Sequence, residues 1–322
     1  MSRVLVTRRP PGDALDRLGA EFDVDAWTED LPMPHDELLD RIGEVEGLFC
    51  MLTDRIDEHT LAAAPHLRVI SQMAVGVDNI DLAAATNRGI PVGHTPEVLT
   101  ETTADTAFAL LLAAGRRLAE GIDHVRTGAW GPWDPELLLG HEVYGSTLGI
   151  VGLGRIGTAV ARRAGGFAMR VLYAGNRKPD LEARLGVAHR ELDDLLVEAD
   201  HVVVTVPLTE HTRSMFDAAA FALMKPTATF VNVSRGPVVD HDALSHALRD
   251  GAIAAAGLDV TDPEPIPADH PLVESPRCTI IPHLGSSTHR TRRAMADLAA
   301  DNLIAGLAGD PLPACANPDV YP

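Results

Sequence analysis

The stretch "TLGIVGLGRIGTAVARRAGGF", residues 147–167, decides the fold. An apolar, strand-like run leads directly into Gly152-x-Gly154-x-x-Gly157, and a helical pattern follows at once. At such a turn the first glycine permits the tight bend, the second lets the backbone approach a pyrophosphate, and the third lets the helix pack on the strand. The start of the helix then offers N–H groups and the positive end of its dipole to the phosphates. The stretch therefore predicts a dinucleotide-binding loop, which comprises Gly152, Leu153, Gly154, Arg155, Ile156 and Gly157.

Short apolar runs alternate with Ala/Leu-rich helical patterns over nearly the whole chain of 322 residues. The apolar runs are Val4–Thr7, Gly47–Leu52, Leu67–Met73, Leu148–Gly152, Arg170–Ala174, Val202–Val206, Thr229–Val233, Ala255–Val260 and Thr279–Pro282. Strands that alternate with helices predict parallel sheets covered by helices on both faces. The expected fold class is therefore α/β, with two Rossmann- or flavodoxin-like doubly wound parallel-sheet domains.

The order of the patterns predicts that one of the two domains is discontinuous. Three or four strands are expected before residue 95, and a second sheet begins near Leu148. The final helical pattern, "HRTRRAMADLAADNLIAGL", has no strand after it, so this helix can return to cover the first sheet. We expect a substrate-binding domain of residues 1–96 and 288–322 and a dinucleotide-binding domain of residues 97–287. A cleft between two such domains is the expected place for a small-molecule site.

The charge of the chain excludes two classes of partner. Forty-six acidic residues against 27 basic ones give a net charge of −19, whereas nucleic-acid binding needs a basic surface. A polybasic membrane contact is disfavoured for the same reason. The N-terminus lacks a signal-like apolar region, and no window approaches the length of a membrane span. We therefore expect a cytoplasmic protein that binds neither nucleic acid nor membrane.

The cysteines and histidines show no metal-binding or disulfide pattern. The three cysteines are scattered and odd in number, which is typical of a reducing compartment. Four histidines, His94, His141, His201 and His289, are also scattered, and we interpret them as solvated or structural. No metal site is expected from the spacing of these residues.

The second strand after the glycine loop indicates which nicotinamide cofactor is preferred. An NAD site places an acidic residue at the end of this strand, where it holds the ribose 2′-hydroxyl. Here the strand reads "RVLYAGNRKPD", and Gly175 is followed by Asn176, Arg177 and Lys178. No carboxylate would repel a 2′-phosphate, and two cations could bind one. The sequence favours NADP(H), with NAD(H) as the alternative.

Three later strand ends carry residues suited to the reduction of a 2-oxo acid. "TFVNVSRG" ends at Arg235, "GLDVTDPEP" leads to Glu264, and "IIPHLG" ends at His283. In open α/β sheets, ligands bind beyond the carboxyl ends of the strands. Arginine can hold a carboxylate with its planar fork, and histidine can donate a proton while the nicotinamide delivers hydride. A glutamate on the far ring nitrogen would orient the imidazole and favour its protonated form.

The succession GLGRIG, NVSRG, GLDV, a glutamate before proline, and PHLGSST resembles the D-isomer-specific 2-hydroxyacid dehydrogenase family over essentially the whole chain. Segments such as "SQMAVGVDNIDL" and "GLDVTDPEPIPADHPL" are most similar to its glyoxylate/hydroxypyruvate reductases. The resemblance implies NAD(P)H-dependent reduction of a small 2-oxo acid to the D-2-hydroxy acid. In that reaction Arg235 would clamp the substrate, Glu264 would pair with the histidine, and His283 would be the acid/base.

The resemblance also implies further contacts. The substrate would meet Leu52 and the backbone N–H groups of Val75 and Gly76, besides Arg235 and His283. The cofactor would meet Thr103, Val206, Pro207, Thr212, Val233, Ser234, Asp259, His283 and Gly285. Family members form homodimers through the cofactor domain, so the segment "GAWGPWDPELLLG" would be a dimer arm.

One departure from the family pattern and several alternatives stay open. NADP-dependent relatives often carry the phosphate-binding arginine at the position of Asn176, whereas here Arg177 is displaced by one residue. A D-3-phosphoglycerate dehydrogenase-like enzyme is one alternative, but no basic phosphate patch is evident in the N-terminal part. Formate dehydrogenase would place a glutamine beside the histidine instead of Glu264. An NAD-sensing, corepressor-like binding protein would share the scaffold without the same function.

Overall fold

The computed structural model describes residues 1–321 and divides the chain into two compact units. The first, which we call the split unit, consists of Met1–Leu99 and the chain from Thr288 onward. The second, which we call the central unit, is Thr100–Ser287. Compared with the expected boundary at residue 96, residues 97–99 fall in the split unit, and the first helix of the central unit begins at Thr100.

The split unit is built on a five-stranded sheet. Its elements before residue 99 are β1 (Arg3–Val6), α1 (Ala14–Glu21), β2 (Asp23–Ala26), α2 (His35–Arg41), β3 (Gly47–Cys50), α3 (Glu58–Ala62), β4 (Val69–Gln72), α4 (Leu82–Asn87) and β5 (Val92–Gly93), with a 3₁₀ turn at Ile42–Glu44. The strand order is β2-β1-β3-β4-β5, and every strand pair is parallel. β3 and β4 are buried along their whole length, as expected for strands covered on both faces.

The central unit is built on a seven-stranded sheet. Its elements are α5 (Thr100–Gly115), α6 (Leu118–Arg126), β6 (Thr147–Val151), α7 (Arg155–Gly166), β7 (Arg170–Ala174), α8 (Pro179–Leu185), β8 (Ala188–His189), α9 (Leu192–Glu198), β9 (His201–Val204), α10 (Ala218–Leu223), β10 (Thr229–Asn232), α11 (His241–Asp250), β11 (Ala255–Leu258), α12 (Pro271–Glu274) and β12 (Cys278–Ile280), with a 3₁₀ turn at Gly236–Val238. The strand order is β12-β11-β10-β9-β6-β7-β8, and all pairs are parallel. The predicted α/β fold with two parallel sheets is confirmed.

The last helix, α13 (His289–Ala308), packs on the sheet of the split unit. The hydroxyl of Ser71 in β4 donates to the carbonyl of Ala299 at 2.6 Å. Asn302 donates from Nδ2 to the carbonyl of His94 at 3.0 Å, directly beside β5. A Cβ on Gly93 would lie 2.6 Å from the Cβ of Asn302, so only glycine permits this approach. A short 3₁₀ helix at Pro318–Val320 follows.

Three strands were not predicted from the sequence, and one predicted helix is divided. β2, β5 and β8 are edge or near-edge strands of only two to four residues, so the split unit has five strands where three or four were expected. Their short or polar sequences give no strand signal. The helical pattern "ADTAFALLLAAGRRLAEGIDHV", residues 104–125, is typical of one continuous helix, but it breaks between α5 and α6, where Arg117 takes a left-handed φ of 53°. Among the described residues, none of the helices has the length and apolar character needed to cross a bilayer.

Candidate active site

The three glycines of the loop between β6 and α7 have distinct roles. Gly152 has a φ of +99°, and a Cβ there would lie 2.9 Å from Cγ1 of Val206. A Cβ on Gly157 would overlap the carbonyl oxygen of Gly152, so this glycine permits the close packing of α7 on the turn. A Cβ on Gly154 would meet nothing within 4 Å. The outer glycines are therefore required by packing, and the middle one borders open space.

The open space beside Gly154 lies at the N-terminal end of α7. Gly154 is the N-cap of the twelve-residue helix α7, and no side chain caps the first turn. A helix N-terminus of this kind presents N–H groups and a positive dipole end to an anion. Residues 152–157 would therefore hold the phosphates of a dinucleotide. The sequence did not reveal Thr205, whose hydroxyl donates to the carbonyl of Gly152 at 2.6 Å and so fixes the turn.

The turn after β7 carries the predicted ribose-binding residues, Asn176, Arg177 and Lys178, all exposed. Arg177 lies 3.2 Å from Oε1 of Glu182, and this hydrogen bond raises the pKa of Arg177. The hydroxyl of Tyr173 donates to the same carboxylate at 2.7 Å and is the main cause of the lowered pKa of Glu182. Sequence reasoning missed Glu182, which follows the turn in α8 and would compete with a phosphate for Arg177.

His283 and Glu264 form a hydrogen-bonded pair. Nδ1 of His283 lies 2.6 Å from Oε1 of Glu264, and their side chains are 26% and 38% exposed. Burial acts to raise the pKa of Glu264, but the hydrogen bond and charge of His283 outweigh it, so the pKa is lowered overall. The carboxylate is therefore ionised at neutral pH and presents its charge to the ring.

The backbone at His283 is strained in a way that orients the ring. His283 has a φ of +53°, a left-handed conformation that is uncommon for a residue with a side chain. Its N–H donates to the carbonyl of Asp259 at 2.9 Å, which ties the loop after β12 to the end of β11. Strain of this type persists only where the surroundings enforce it, and it is concentrated at functional sites.

The buried side chain of Asp259 also holds the loop that contains His283. It is 2% exposed, and its two oxygens accept hydrogen bonds from the N–H groups of Leu284 at 2.5 Å and Gly285 at 2.9 Å. Burial raises the pKa of Asp259. A Cβ on Gly285 would lie 2.8 Å from Oδ2 of Asp259 and 3.4 Å from Cγ2 of Thr103, so glycine is needed there. The structure thus brings three predicted cofactor contacts, Thr103, Asp259 and Gly285, together.

Arg235 follows β10, the neighbour of β11 in the sheet. Asn232, at the end of β10, accepts from the N–H of Ser234 at 3.0 Å and donates to the carbonyl of Arg235 at 2.9 Å. A Cβ on Gly236 would overlap the carbonyl of Thr261, so the loops after β10 and β11 lie against each other. The charge of Arg235 helps to lower the pKa of Glu264. Asn232 was not predicted, although it fixes the backbone on which Arg235 stands.

The remaining predicted cofactor contacts lie at the ends of β9 and β10. Val206 lies against the glycine loop, since its Cγ1 would be 2.9 Å from a Cβ on Gly152. The hydroxyl of Thr212 donates to the carbonyl of Pro207 at 2.7 Å and closes the loop after β9. Ser234 is buried at 7% exposure, and Val233 is buried in the core at the end of β10, at 6% exposure.

In the split unit, the predicted substrate loop is held by polar side chains. Nε2 of Gln72 donates to the carbonyl of Gly76 at 2.7 Å, and Nδ1 of His94 lies 2.9 Å from the carbonyl of Val75. Asn79 bonds Gln72 and reaches the carbonyl of Met51 at 3.2 Å, directly before the half-buried Leu52. Within the described residues, the N–H groups of Val75 and Gly76 have no hydrogen-bond acceptor. Gln72, Asn79 and His94 were not predicted as parts of this site.

A family model described as "D-isomer specific 2-hydroxyacid dehydrogenase, NAD binding domain" matches residues 108–285, which is more than half of the chain. A glyoxylate reductase of Korarchaeum cryptofilum is 49% identical over 320 residues, covering 99% of this chain and 96% of that protein. The chain belongs to this family. The match to its NAD-binding domain lies entirely inside the central unit.

Solved structures are similar to this D-2-hydroxyacid dehydrogenase over nearly all of its length. The TT0316 protein from Thermus thermophilus superimposes with a TM-score of 0.91 at 47% identity, covering 98% of this chain and 99% of that one. An NADPH-dependent glyoxylate/hydroxypyruvate reductase from Sinorhizobium meliloti, solved with NADP and malonate, gives a TM-score of 0.86 at 31% identity, covering 99% and 97%. The family membership and the fold class inferred from the sequence are confirmed.

Proposed function

We propose that this dehydrogenase reduces glyoxylate and hydroxypyruvate to the corresponding D-2-hydroxy acids. The observation that carries the proposal is the 2.6 Å hydrogen bond between Nδ1 of His283 and Oε1 of Glu264. His283 lies on the loop after β12, and the N–H of Leu284 in this loop donates to Asp259. The glyoxylate reductase from Korarchaeum and the glyoxylate/hydroxypyruvate reductase from Sinorhizobium support the choice of substrate.

The residues divide the chemistry among them. The bound nicotinamide supplies a hydride equivalent. His283 donates the proton that the keto oxygen needs, and Glu264, hydrogen-bonded to Nδ1, keeps the ring oriented. Arg235 binds the carboxylate of the substrate with its planar guanidinium and polarises the keto group. The loops after β11 and β12 place Glu264 and His283 within hydrogen-bonding distance, so the imidazole is oriented before the substrate binds.

The split unit is the substrate-binding domain in this proposal, and the central unit is the dinucleotide-binding domain. Val75 and Gly76 would donate their N–H groups to the substrate carboxylate, and Leu52 would line the pocket. The support is that these N–H groups have no acceptor in the described chain, while the carbonyls of the same two residues are held by His94 and Gln72. Because the carbonyl groups of Val75 and Gly76 already have partners in the protein, the N–H groups of these residues remain available to donate to a ligand.

We further propose that NADPH is preferred over NADH through Arg177 and Lys178. The turn is exposed and cationic, and the Sinorhizobium relative is named as NADPH-dependent. Glu182 limits the preference, because a 2′-phosphate must displace it from Arg177. Arg177→Ala should reduce the ratio of kcat/KM for NADPH over NADH, whereas Arg184→Ala, an exposed arginine on α8, should leave it unchanged. Equal use of both cofactors by the wild type would contradict the preference.

We also propose that the chain forms a homodimer through the central unit. One face of α6 exposes Leu118, Ile122 and Val125, each at least 50% exposed, and Trp130 and Trp133 follow at 66% and 85%. Apolar surface of this extent is typical of an interface. Sedimentation velocity should give a dimer for the wild type and a monomer for Ile122→Asp. A monomeric wild type would contradict the assembly.

Steady-state kinetics test the proposed function most simply. Initial rates with glyoxylate, hydroxypyruvate and pyruvate, each with NADPH and NADH, should give the highest kcat/KM for the first two acids. Faster turnover of D-3-phosphoglycerate with an oxidised nicotinamide would favour the phosphoglycerate dehydrogenase alternative. Binding of NADPH without turnover of any 2-oxo acid would favour the sensor alternative.

A further inference from the structure

A cluster of potential metal ligands lies in the split unit, outside the residues assigned to catalysis. His35 is the first residue of α2, Asp57 directly precedes α3, and His59 lies in the first turn of α3. One nitrogen from each imidazole and one oxygen of the carboxylate all lie within 4.8 Å of one another. The cluster therefore joins the N-terminal ends of two helices.

His35 supplies an independent reason to expect a ligand there. Both of its ring nitrogens are buried, and neither has a hydrogen-bond partner among the described residues. Buried polar atoms in native proteins are nearly always satisfied, and an unsatisfied one costs free energy. A neutral imidazole must either donate or accept at each nitrogen, or coordinate a metal. An ion between His35 and its neighbours would satisfy one of these nitrogens.

The other two residues are able to coordinate. Asp57 accepts hydrogen bonds from the N–H and the hydroxyl of Thr60 and lies 2.7 Å from the exposed guanidinium of Arg55. The hydrogen bond from the Thr60 N–H is the main cause that lowers the pKa of Asp57 to about 2, so the carboxylate is charged at neutral pH. A carboxylate has about four lone-pair sites, which leaves room for a metal. His59 is exposed, and one of its ring nitrogens lies within 4.8 Å of the other two ligand atoms.

We propose that His35, Asp57 and His59 bind a divalent transition-metal ion, with Zn²⁺ the best match. Two imidazoles and one carboxylate form a donor set that zinc accepts with water in the fourth position, whereas Ca²⁺ and Mg²⁺ prefer oxygen ligands alone. Metal–ligand distances of about 2.0–2.2 Å place tetrahedral ligand atoms about 3.4 Å apart. The three side chains therefore need only small inward rotations from their present separation.

The site has a structural role and takes no part in the reduction. It would fasten α2 to α3 in the split unit, while His283, Glu264 and Arg235 belong to the central unit. It differs from the expectation of no metal site, which rested on the spacing of other histidines. His35 and Asp57 are 22 positions apart, so no short ligand spacing in the sequence joins them.

Calorimetric titration of the full-length, tag-free protein with Zn²⁺ tests the proposal, after dialysis against a chelator. We expect one high-affinity equivalent per chain, and Co²⁺ should show visible d–d absorption typical of a low-symmetry nitrogen and oxygen site. His35→Ala and His59→Ala should each weaken binding at least about 100-fold, since losing merely a hydrogen-bond partner of a ligand costs 10–100-fold. The matched control His66→Ala, an exposed histidine after α3, should bind as the wild type does.

The variants are chosen so that loss of folding does not imitate loss of the metal. Among the described residues the ring of His35 makes no hydrogen bond, and His59 is exposed, so neither substitution removes a side-chain hydrogen bond of the fold seen in that part of the chain. Each variant should keep the circular dichroism spectrum and the reductase activity of the wild type. Absence of a high-affinity equivalent in the wild type would overturn the proposal. So would equal binding by wild type and both variants, or an equal loss in His66→Ala.

Discussion

Asp259 and Glu264 both follow β11 and are five residues apart, and each is hydrogen-bonded to the segment that contains His283. Their environments differ. Asp259 is 2% exposed, accepts hydrogen bonds from backbone N–H groups of the His283 loop, and has a pKa raised by burial. Glu264 is exposed, contacts the imidazole itself, and has a lowered pKa. The comparison shows that one carboxylate shapes the loop and the other sets the charge of the site.

The division has a physical basis. A buried carboxylate is costly unless hydrogen bonds satisfy it, and Leu284 and Gly285 provide two such bonds. A more exposed carboxylate costs little to ionise, so its charge is available to an opposite charge nearby. The roles therefore follow from burial and contacts, although the two side chains carry the same functional group. Substitutions that affect one role and leave the other intact can test this division.

Replacing His283, which Glu264 contacts directly and whose loop is bonded to Asp259, should have the largest effect on catalysis. His283→Ala should lower kcat by about 10²–10⁴-fold, because it removes the proton donor. The affinity for NADPH, measured by fluorescence titration, should stay within a few-fold of the wild type. His246→Ala, an exposed histidine on α11, is the matched control and should keep full turnover. A kcat near that of the wild type would show that neither carboxylate prepares a proton donor.

The charge of Arg235 helps to lower the pKa of Glu264, and the same guanidinium would bind the carboxylate of the substrate. Arg235→Lys keeps the charge near Glu264 but loses the planar fork, so it should weaken carboxylate binding by about 1.5–3 kcal/mol. That loss corresponds to a rise in KM for glyoxylate of roughly 10–100-fold. KM for NADPH should change little. An unchanged KM for glyoxylate would remove Arg235 from the substrate site.

The shaping role of Asp259 predicts a loss of stability. Asp259→Asn turns one acceptor into a donor that faces the N–H groups of Leu284 and Gly285. Leaving such groups unsatisfied should lower the free energy of unfolding by about 1–3 kcal/mol, measured by thermal unfolding. The exposed Asp269→Asn serves as the control. Stability equal to that of the wild type would mean that Asp259 does not hold the loop.

The smallest effect is expected for the pH dependence of stability through Glu264. Because its pKa is lower in the folded protein, the pairing stabilises the fold above the usual pKa of a glutamate, and this stabilisation is lost as the pH falls through the lowered value. Glu264→Gln should therefore unfold like the wild type in acid and slightly more easily near neutral pH. Thermal unfolding measured across this range checks the prediction. An equal difference at every pH would contradict it.

The sequence predicted the parts of the site that local pattern determines. The glycine loop follows from residue spacing after a strand, and Arg235, Glu264 and His283 follow from the rule that ligands bind beyond strand ends. The clamp made by Asp259 could not be predicted from the residues alone, because its partners are backbone N–H groups 25 and 26 positions later. The competition of Glu182 for Arg177 depends in the same way on how α8 folds against the turn.

The missed parts of the fold have a similar cause. β5 and β8 have only two residues each, too few for a periodic pattern, and two of the four residues of β2 are aspartates; pairing with a neighbouring strand fixes all three. The division between α5 and α6 lies at a left-handed arginine, a residue type that normally favours helix. In each case a tertiary contact or a single backbone torsion overrides the local preference.

The pH dependence of kcat for glyoxylate reduction, measured for the wild type, Glu264→Gln and Asp259→Asn, tests the central claim most directly. Glu264→Gln removes the negative charge that faces the imidazole of His283, so the decline of kcat at alkaline pH should move to lower pH. In Asp259→Asn, which changes a carboxylate bonded to backbone N–H groups, the decline should move less than in Glu264→Gln while kcat falls. A decline that moves in Asp259→Asn and stays fixed in Glu264→Gln would contradict the account.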